Sequence, residues 1–197
     1  MKKLLIVAFV CAMGFVSSAA DIDLGKAKIG TPAPQFADGV WTFTGGGMRL
    51  PNLWDFSQGV KIEVEFKMDA EQTNSMPRLV EGPRISLQFM AGGKGRELRV
   101  LASSNREKGK YVLIRDQRLP GDGLDWNKAV FIYSPAAKTI SLQINDGKPA
   151  VKAIPFEWDL SKQYIMIGSN MLKDGHRCFK GSIRNLKITA PYSGENK

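Results

Sequence analysis

The chain has 197 residues, a formal net charge of +9 and two cysteines. That length allows one domain of ordinary size with its own apolar core, and two cysteines supply no disulfide framework. Lysines and arginines are scattered singly, without a basic arm or a dense run, so the charge reads as a solvated basic surface and nucleic acid is not an expected partner.

Residues 1–20 read as a signal peptide. Lys2 and Lys3 make a basic start, "LLIVAFVCAMGFV" is an apolar run short for a transmembrane helix, and "SSAAD" supplies small residues for cleavage after Ala20. Cys11 lies inside the apolar run after Ala8, Phe9 and Val10, which does not suit a lipoprotein. Cleavage leaves a domain over 21–197 with Cys178 alone, a charge near +7 and no stable membrane insertion. The expected location is secreted or periplasmic, or the cell surface, and the segment has a bacterial character.

From Val60 onward the apolar spacing is two. "VKIEVEF" puts Val60, Ile62, Val64 and Phe66 on one face and Lys61, Glu63, Glu65 and Lys67 on the other. "ISLQF" sets Ile85, Leu87 and Phe89 against Ser86 and Gln88; "ELRVLA" sets Leu98 and Val100 against Glu97 and Arg99. "YVLIRD" is apolar on both faces before turning polar at Arg115 and Asp116. Breaks rich in Gly and Pro separate these runs.

"KAVFIYSPAAKTISLQINDGKPAV" predicts a strand through Phe131 and Tyr133, a turn over 134–138, a strand through Ile140, Leu142 and Ile144, and a turn at Asp146-Gly147. "FEWDLSK" allows at most one short helical turn. "YIMIGSN" and "SIRNLKIT" read as strands around the loop "MLKDGHR". In the closing stretch Phe179, Ile183, Leu186 and Ile188 are candidates for packing, Gly181 allows a close approach, and broken alternation predicts a bulge near Arg184 and Asn185. The pattern as a whole predicts an all-β protein, a two-sheet antiparallel β-sandwich of jelly-roll type.

The order of these pieces resembles laminin G-like domains of the concanavalin A-like lectin and glucanase superfold, over nearly all of the mature chain. "GVWTFTGGGMRL" is similar to the opening strand and Gly-rich turn, and "FSQGVKIEVEFKMD" to the long strand that follows. "GDGLDWNKAVFIY" resembles the Gly-Asp-Gly turn before a core strand, "ISLQINDGKPA" the next hairpin, and "IMIGSN" with "FKGSIRNLKI" the closing pair. Two departures stand out: Ser182 where animal members commonly have Cys, and Asn127 where they often carry His. The resemblance implies a concanavalin A-like jelly roll, and the loss of the cysteine at Ser182 weakens any transfer of animal receptor-binding roles.

Glucanases of the superfold place their carboxylates along one strand face. Glu63, Glu65 and Asp69 share such a face with neighbours roughly 6.5–7 Å apart, but Lys67 stands where the last carboxylate should be, which favours a solvated face over catalysis. His176, the one histidine, and Cys178 are close in sequence, but they do not make a dyad by that alone and are too few for zinc. Asp116, Asp122, Asp125, Asn170 and Asp174 offer loop oxygens for calcium without an Asp-x-Asp-x-Asp loop. No cofactor is therefore expected, with calcium left open.

Trp41 and Trp126 are expected in the core, while Trp54 and Trp158 precede acidic residues and are candidates for a rim. Ser86, Gln88, Glu97, Arg99 and Arg115 are expected along one solvent-facing sheet surface, with Tyr111 at its border. Arginines there suit carboxylated or sulfated glycans. The ligand-binding candidates are Gln88, Arg99, Tyr111, Arg115, Trp158 and His176, with no catalytic residue. The expected function is a non-catalytic module for a carbohydrate, an acidic glycan included. A structural or adhesion module of the cell envelope with a cell-surface protein partner comes second, and a glycoside hydrolase third.

Overall fold

The computed structural model describes residues 26–51, 54–74, 76–92, 95–104, 106–175 and 177–192. The expected signal peptide, the domain start at residue 21 and His176 lie outside the described residues.

The strands are, in chain order, β1 (Lys28–Ile29), β2 (Gln35–Ala37), β3 (Val40–Phe43), β4 (Met48–Arg49), β5 (Val60–Met68), β6 (Arg78–Glu81) and β7 (Ile85–Gly92). They continue with β8 (Gly95–Ser103), β9 (Tyr111–Arg118), β10 (Asn127–Ser134), β11 (Thr139–Ile144), β12 (Ala150–Ala153), β13 (Met166–Ile167) and β14 (Gly181–Thr189). A first sheet has the order β1-β4-β13-β6-β7-β8-β9 and a second the order β12-β11-β10-β5-β14-β3-β2. All these ladders are antiparallel. The expected all-β sandwich is the observed one, and the segment around Trp158 forms no helix.

The period-two pattern sets the inner faces. Val60, Ile62, Val64, Phe66 and Met68 of β5 are buried, and Ile62 and Val64 lie opposite Phe131 and Ala129 of β10. Facing them from the first sheet, Leu87 and Phe89 of β7 and Leu98 and Val100 of β8 are wholly buried. An aromatic wedge joins the layers. Phe89 stacks on Phe179 at 5.5 Å between ring centroids and meets Phe66 edge-on at 5.2 Å, and Phe179 in turn meets Phe43 at 6.3 Å. Such pairs add roughly 0.5–1.5 kcal/mol each beyond the area they bury.

The closing strand follows its sequence closely. Phe179, Ile183 and Ile188 are buried and Leu186 packs against the core. The β14–β5 register shifts between Arg184 and Lys187, with Asn185 at φ 50°, which is the expected bulge. Gly181 has φ 148°, and a Cβ there would come within 2.2 Å of the Lys67 carbonyl oxygen. Ser182 is buried.

The tryptophans depart from expectation. Trp54 is buried, because its backbone pairs with Gln163 in both directions and draws the ring inward. Trp41 is partly buried and stacks beside exposed Phe36 at 4.8 Å. Trp126 is also only partly buried, with the Arg184 guanidinium 4.0 Å and the Lys67 ammonium 5.6 Å from its ring centre, so cations cover it in place of the core. At the open side of the sandwich the edge strands β9 and β12 run side by side without joining ladders.

Gly181→Ala is expected to lower the unfolding free energy by about 2 kcal/mol or more, through strain and the clash with Lys67. Phe179→Ala is expected to cost about 3–5 kcal/mol by opening a cavity under Phe89. Urea denaturation followed by tryptophan fluorescence checks both, and unchanged midpoints would contradict the packing described.

Candidate functional site

Ser86, Gln88, Glu97 and Arg99 do share the outer face of the first sheet, since Gln88 lies opposite Arg99 and Met90 opposite Glu97. Their accessibility differs from expectation. Ser86 is buried and Gln88 is only 6 % exposed, because Arg78 and Glu81 of β6 lie opposite Gln88 and Ser86 on the same face. A bulge between Arg78 and Val80 turns both Leu79 and Val80 inward, leaving Arg78 and Glu81 outward. Simple alternation along "RLVE" hides this arrangement.

Arg78 is 5 % exposed, with Nε 3.4 Å from Glu81 Oε2. Burial lowers the Arg78 guanidinium and raises the Glu81 carboxyl, so desolvation outweighs their mutual attraction. Arg78 Nη1 and Arg177 Nε are buried without a hydrogen-bond partner among the described residues. The Arg78 backbone N–H donates to the Arg177 carbonyl at 3.0 Å, which ties the loop before β14 to this strand. Arg99 is occupied by its own neighbour: its Nε donates to Glu97 Oε2 at 2.9 Å and Nη2 lies 2.8 Å from the same oxygen.

The β8–β9 register shifts between Leu98 and Val100, so Arg115 and Asp116, the latter at φ 66°, together lie opposite Arg99 on the edge strand. Arg115 is exposed, 3.9 Å from Asp116, and lines a cleft of about 410 Å³ with Tyr111, Leu113, Ala150 and Lys152. Tyr111 is 61 % exposed at the start of β9, at the border where the sequence puts it.

Trp158 lies in a separate rim pocket. It is half-buried, and its indole Nε1 donates to the Ser103 carbonyl at 3.0 Å, which fixes the ring. Tyr133 meets it edge-on at 5.0 Å and Phe156 at 6.2 Å. The cavity is about 670 Å³, and its wall also includes Ser57, Arg106, Lys138, Glu157 and Asp159. Three connections converge here: the β10–β11 turn brings Lys138 at φ 49°, the segment after β12 brings Phe156 to Asp159, and the loop after β8 brings Arg106. Arg106 and Glu157 form an ion pair at the wall, whereas Lys138 has no ion pair among the described residues. Burial pushes the Tyr133 phenol up.

The five calcium-donor candidates are spread over β9, the Pro120–Gly123 turn and the loop after β13. Among the described residues no three His, Cys, Asp or Glu side chains converge. Asp174 Oδ1 accepts the Gly175 N–H, and Asn170 Oδ1 is buried without a partner. Cys178 is buried, with Sγ 3.2 Å from Ser169 Oγ. Asn127 is buried and bridges Asp125 and Asn145.

Glu63 and Glu65 sit on the outer face of the second sheet as ion-paired groups. Glu63 contacts Lys61 at 3.1 Å and Lys128 at 3.4 Å; Glu65 accepts from Arg184 at 2.7 Å and Asn185 at 3.0 Å. Asn185 and Arg184 hold the Glu65 carboxyl below its ordinary value. Burial raises that of Glu63, but Lys61 and Lys128 outweigh it and bring it below its ordinary value too. A glycosidase acid needs the opposite shift.

No protein-family model and no curated protein matches the sequence. Solved structures of like fold exist at low identity. The botulinum neurotoxin serotype D binding domain aligns with TM-score 0.60 and 15 % identity over 83 % of this chain and 43 % of that one. Mouse laminin α1 domains LG4-5 align with TM-score 0.55 and 18 % identity over 79 % and 41 %. An alginate lyase from Pseudomonas aeruginosa aligns with TM-score 0.52 and 12 % identity over 73 % of each chain. The likeness shows the concanavalin A-like sandwich that the sequence resembles.

The lowered carboxyls of Glu63 and Glu65 give stability a defined pH dependence. Unfolding lets each group bind protons more readily, so their contribution is present above about pH 4.5 and is lost as pH falls through their lower folded values. Chemical denaturation between neutral and acid pH is expected to show a shallower acid loss in Glu65→Gln than in the parent. An identical slope would remove Glu65 from the account.

Proposed function

We propose that the protein is a non-catalytic binding module that takes a carbohydrate in the rim pocket walled by Trp158. The observation that carries this reading is a cavity of about 670 Å³ in which an indole already fixed by a hydrogen bond stands beside polar and cationic side chains. Sugars combine an apolar ring face with a periphery of hydroxyls, and aromatic walls with nearby polar groups match both. A ring locked before binding loses little freedom on binding. Lys138, without an ion pair among the described residues, favours a carboxylated or sulfated sugar over a neutral one.

Catalysis lacks comparable support. Glu157 in the pocket wall is exposed and paired with Arg106, and Glu63 and Glu65 are held ionised by cations. A binding domain and an alginate lyase both appear among structures of this fold, so fold alone does not decide function. The basic, apolar and small-residue segments of residues 1–20 support export, and an exported module would meet its glycan outside the cytoplasm. A cell-surface protein partner has its own feature: Phe36, 58 % exposed, flanks an apolar slot of about 230 Å³ lined by Trp41, Ile183 and Leu186.

A glycan array probed with and without calcium tests the reading. Binding to one saccharide class is expected, reduced about tenfold or more by Trp158→Ala and less by Trp158→Phe, which keeps an aromatic ring. Binding to no saccharide in either condition would refute it.

A further inference from the structure

We infer that the seam between the edge strands β9 and β12 is a binding track for an extended acidic polysaccharide, continuing from the rim pocket along the side of the sandwich. The inference rests on the carbohydrate reading and adds the ligand class and the direction in which its chain runs.

Three cavities follow the seam. The rim pocket lies where Ser103, opposite Tyr111 at the start of β9, accepts the Trp158 indole hydrogen bond. The next cleft, about 410 Å³, has Tyr111, Arg115 and Asp116 of β9 on one wall and Ala150 and Lys152 of β12 on the other. A third, about 430 Å³, shares Asp116 with it and runs past Arg118 and Pro120 against Asn145, Gly147 and Lys148. The eight residues of β9 give this course a length of roughly 23 Å by strand rise, enough for several sugar units in extended form.

Cations outnumber carboxylates along it, six to three, the carboxylates being Glu157, Asp159 and Asp116. Lys138, Lys152, Arg118 and Lys148 have no ion pair among the described residues, and Arg115 has only Asp116 at 3.9 Å. Arg106 is the cation with a close carboxylate partner, Glu157. Several cations on the strand faces are paired, as in Lys61–Glu63, Arg184–Glu65 and Arg99–Glu97, while Lys67 and Lys187 have no ion pair among the described residues. A row of unpaired cations beside an exposed tyrosine releases counterions when a linear polyanion lies along it, and its affinity then grows with ligand length. The single exposed ring of Tyr111 suits a sugar face, while single-stranded nucleic acid calls for a series of stacking platforms.

The test measures the affinity of the intact chain for oligogalacturonates and heparin-derived oligosaccharides as di-, hexa- and dodecasaccharides, with dextran fragments as neutral controls and a single-stranded DNA of equal charge. Affinity is expected to rise about tenfold or more from disaccharide to hexasaccharide of one acidic series and to fall steeply with salt. The triple variant Arg118→Gln, Lys148→Gln, Lys152→Gln changes exposed side chains; its thermal midpoint is expected to match the parent. It should lose the length-dependent gain and keep the disaccharide affinity, whereas Trp158→Ala should lose the disaccharide affinity itself. Length dependence that survives in the triple variant, or is absent from the parent, overturns the track and leaves the pocket standing. Seam-dependent binding of the long chains without any disaccharide binding supports the track and refutes the pocket. Equal affinity for DNA overturns the assignment to polysaccharide, and no binding to any oligosaccharide overturns both.

Discussion

Phe89 reaches from the first sheet into the second and there meets Phe66 and Phe179 together. The rest of the molecule depends on that contact, because it fixes how the two layers sit on one another. Two glycines permit it. Gly181 lets β14 pass close to Lys67, and Gly168, at φ 74°, gives the Phe43 ring a place that any Cβ would occupy at 2.4 Å. Once the layers are locked, their edges are locked too, and β9 and β12 are left side by side with no hydrogen-bonded strand to cover the gap.

The distribution of charge then separates the parts of the surface. On the sheet faces Lys61, Arg99, Lys128 and Arg184 each have a carboxylate within reach, and those pairs contribute modestly while keeping the faces hydrated. At the open edge Lys138, Lys152, Arg118 and Lys148 have no ion pair among the described residues, and the rim pocket adds an aromatic wall at one end of the row. The buried group of Arg78 and Glu81 is different again. Both are shifted toward their neutral forms by burial, and Arg78 Nη1 and Arg177 Nε stay without hydrogen-bond partners among the described residues. This outer face therefore carries more desolvation than its polar sequence suggests.

The local elements were legible in the chain. "VKIEVEF" states its own inner face, and "FKGSIRNLKI" contains both the glycine approach and the bulge, because period two and its interruption are local properties. What sequence does not carry is the register between distant strands. The outward placement of Arg78 and Glu81 depends on a bulge in four residues of β6, and another in the β8–β9 ladder sets Arg115 and Asp116 together opposite Arg99. The tryptophans show the same limit. Trp126 immediately precedes a core strand yet meets Arg184 of β14, two strands across the sheet, and Trp54 turns inward through pairing with Gln163, more than a hundred residues away. Likewise Arg118, Lys148 and Lys152 are scattered singly in sequence and collect only where the two edges meet.

A crystal structure of the protein with an acidic hexasaccharide tests the central claim most directly, since it reports where the sugar lies as well as whether it binds. The account predicts a sugar ring against Trp158 in the rim pocket, with the following units running beside Tyr111 toward Arg118 and Lys148. Density over Gln88 and Arg99 on the outer face of the first sheet, with the rim pocket empty, would contradict it.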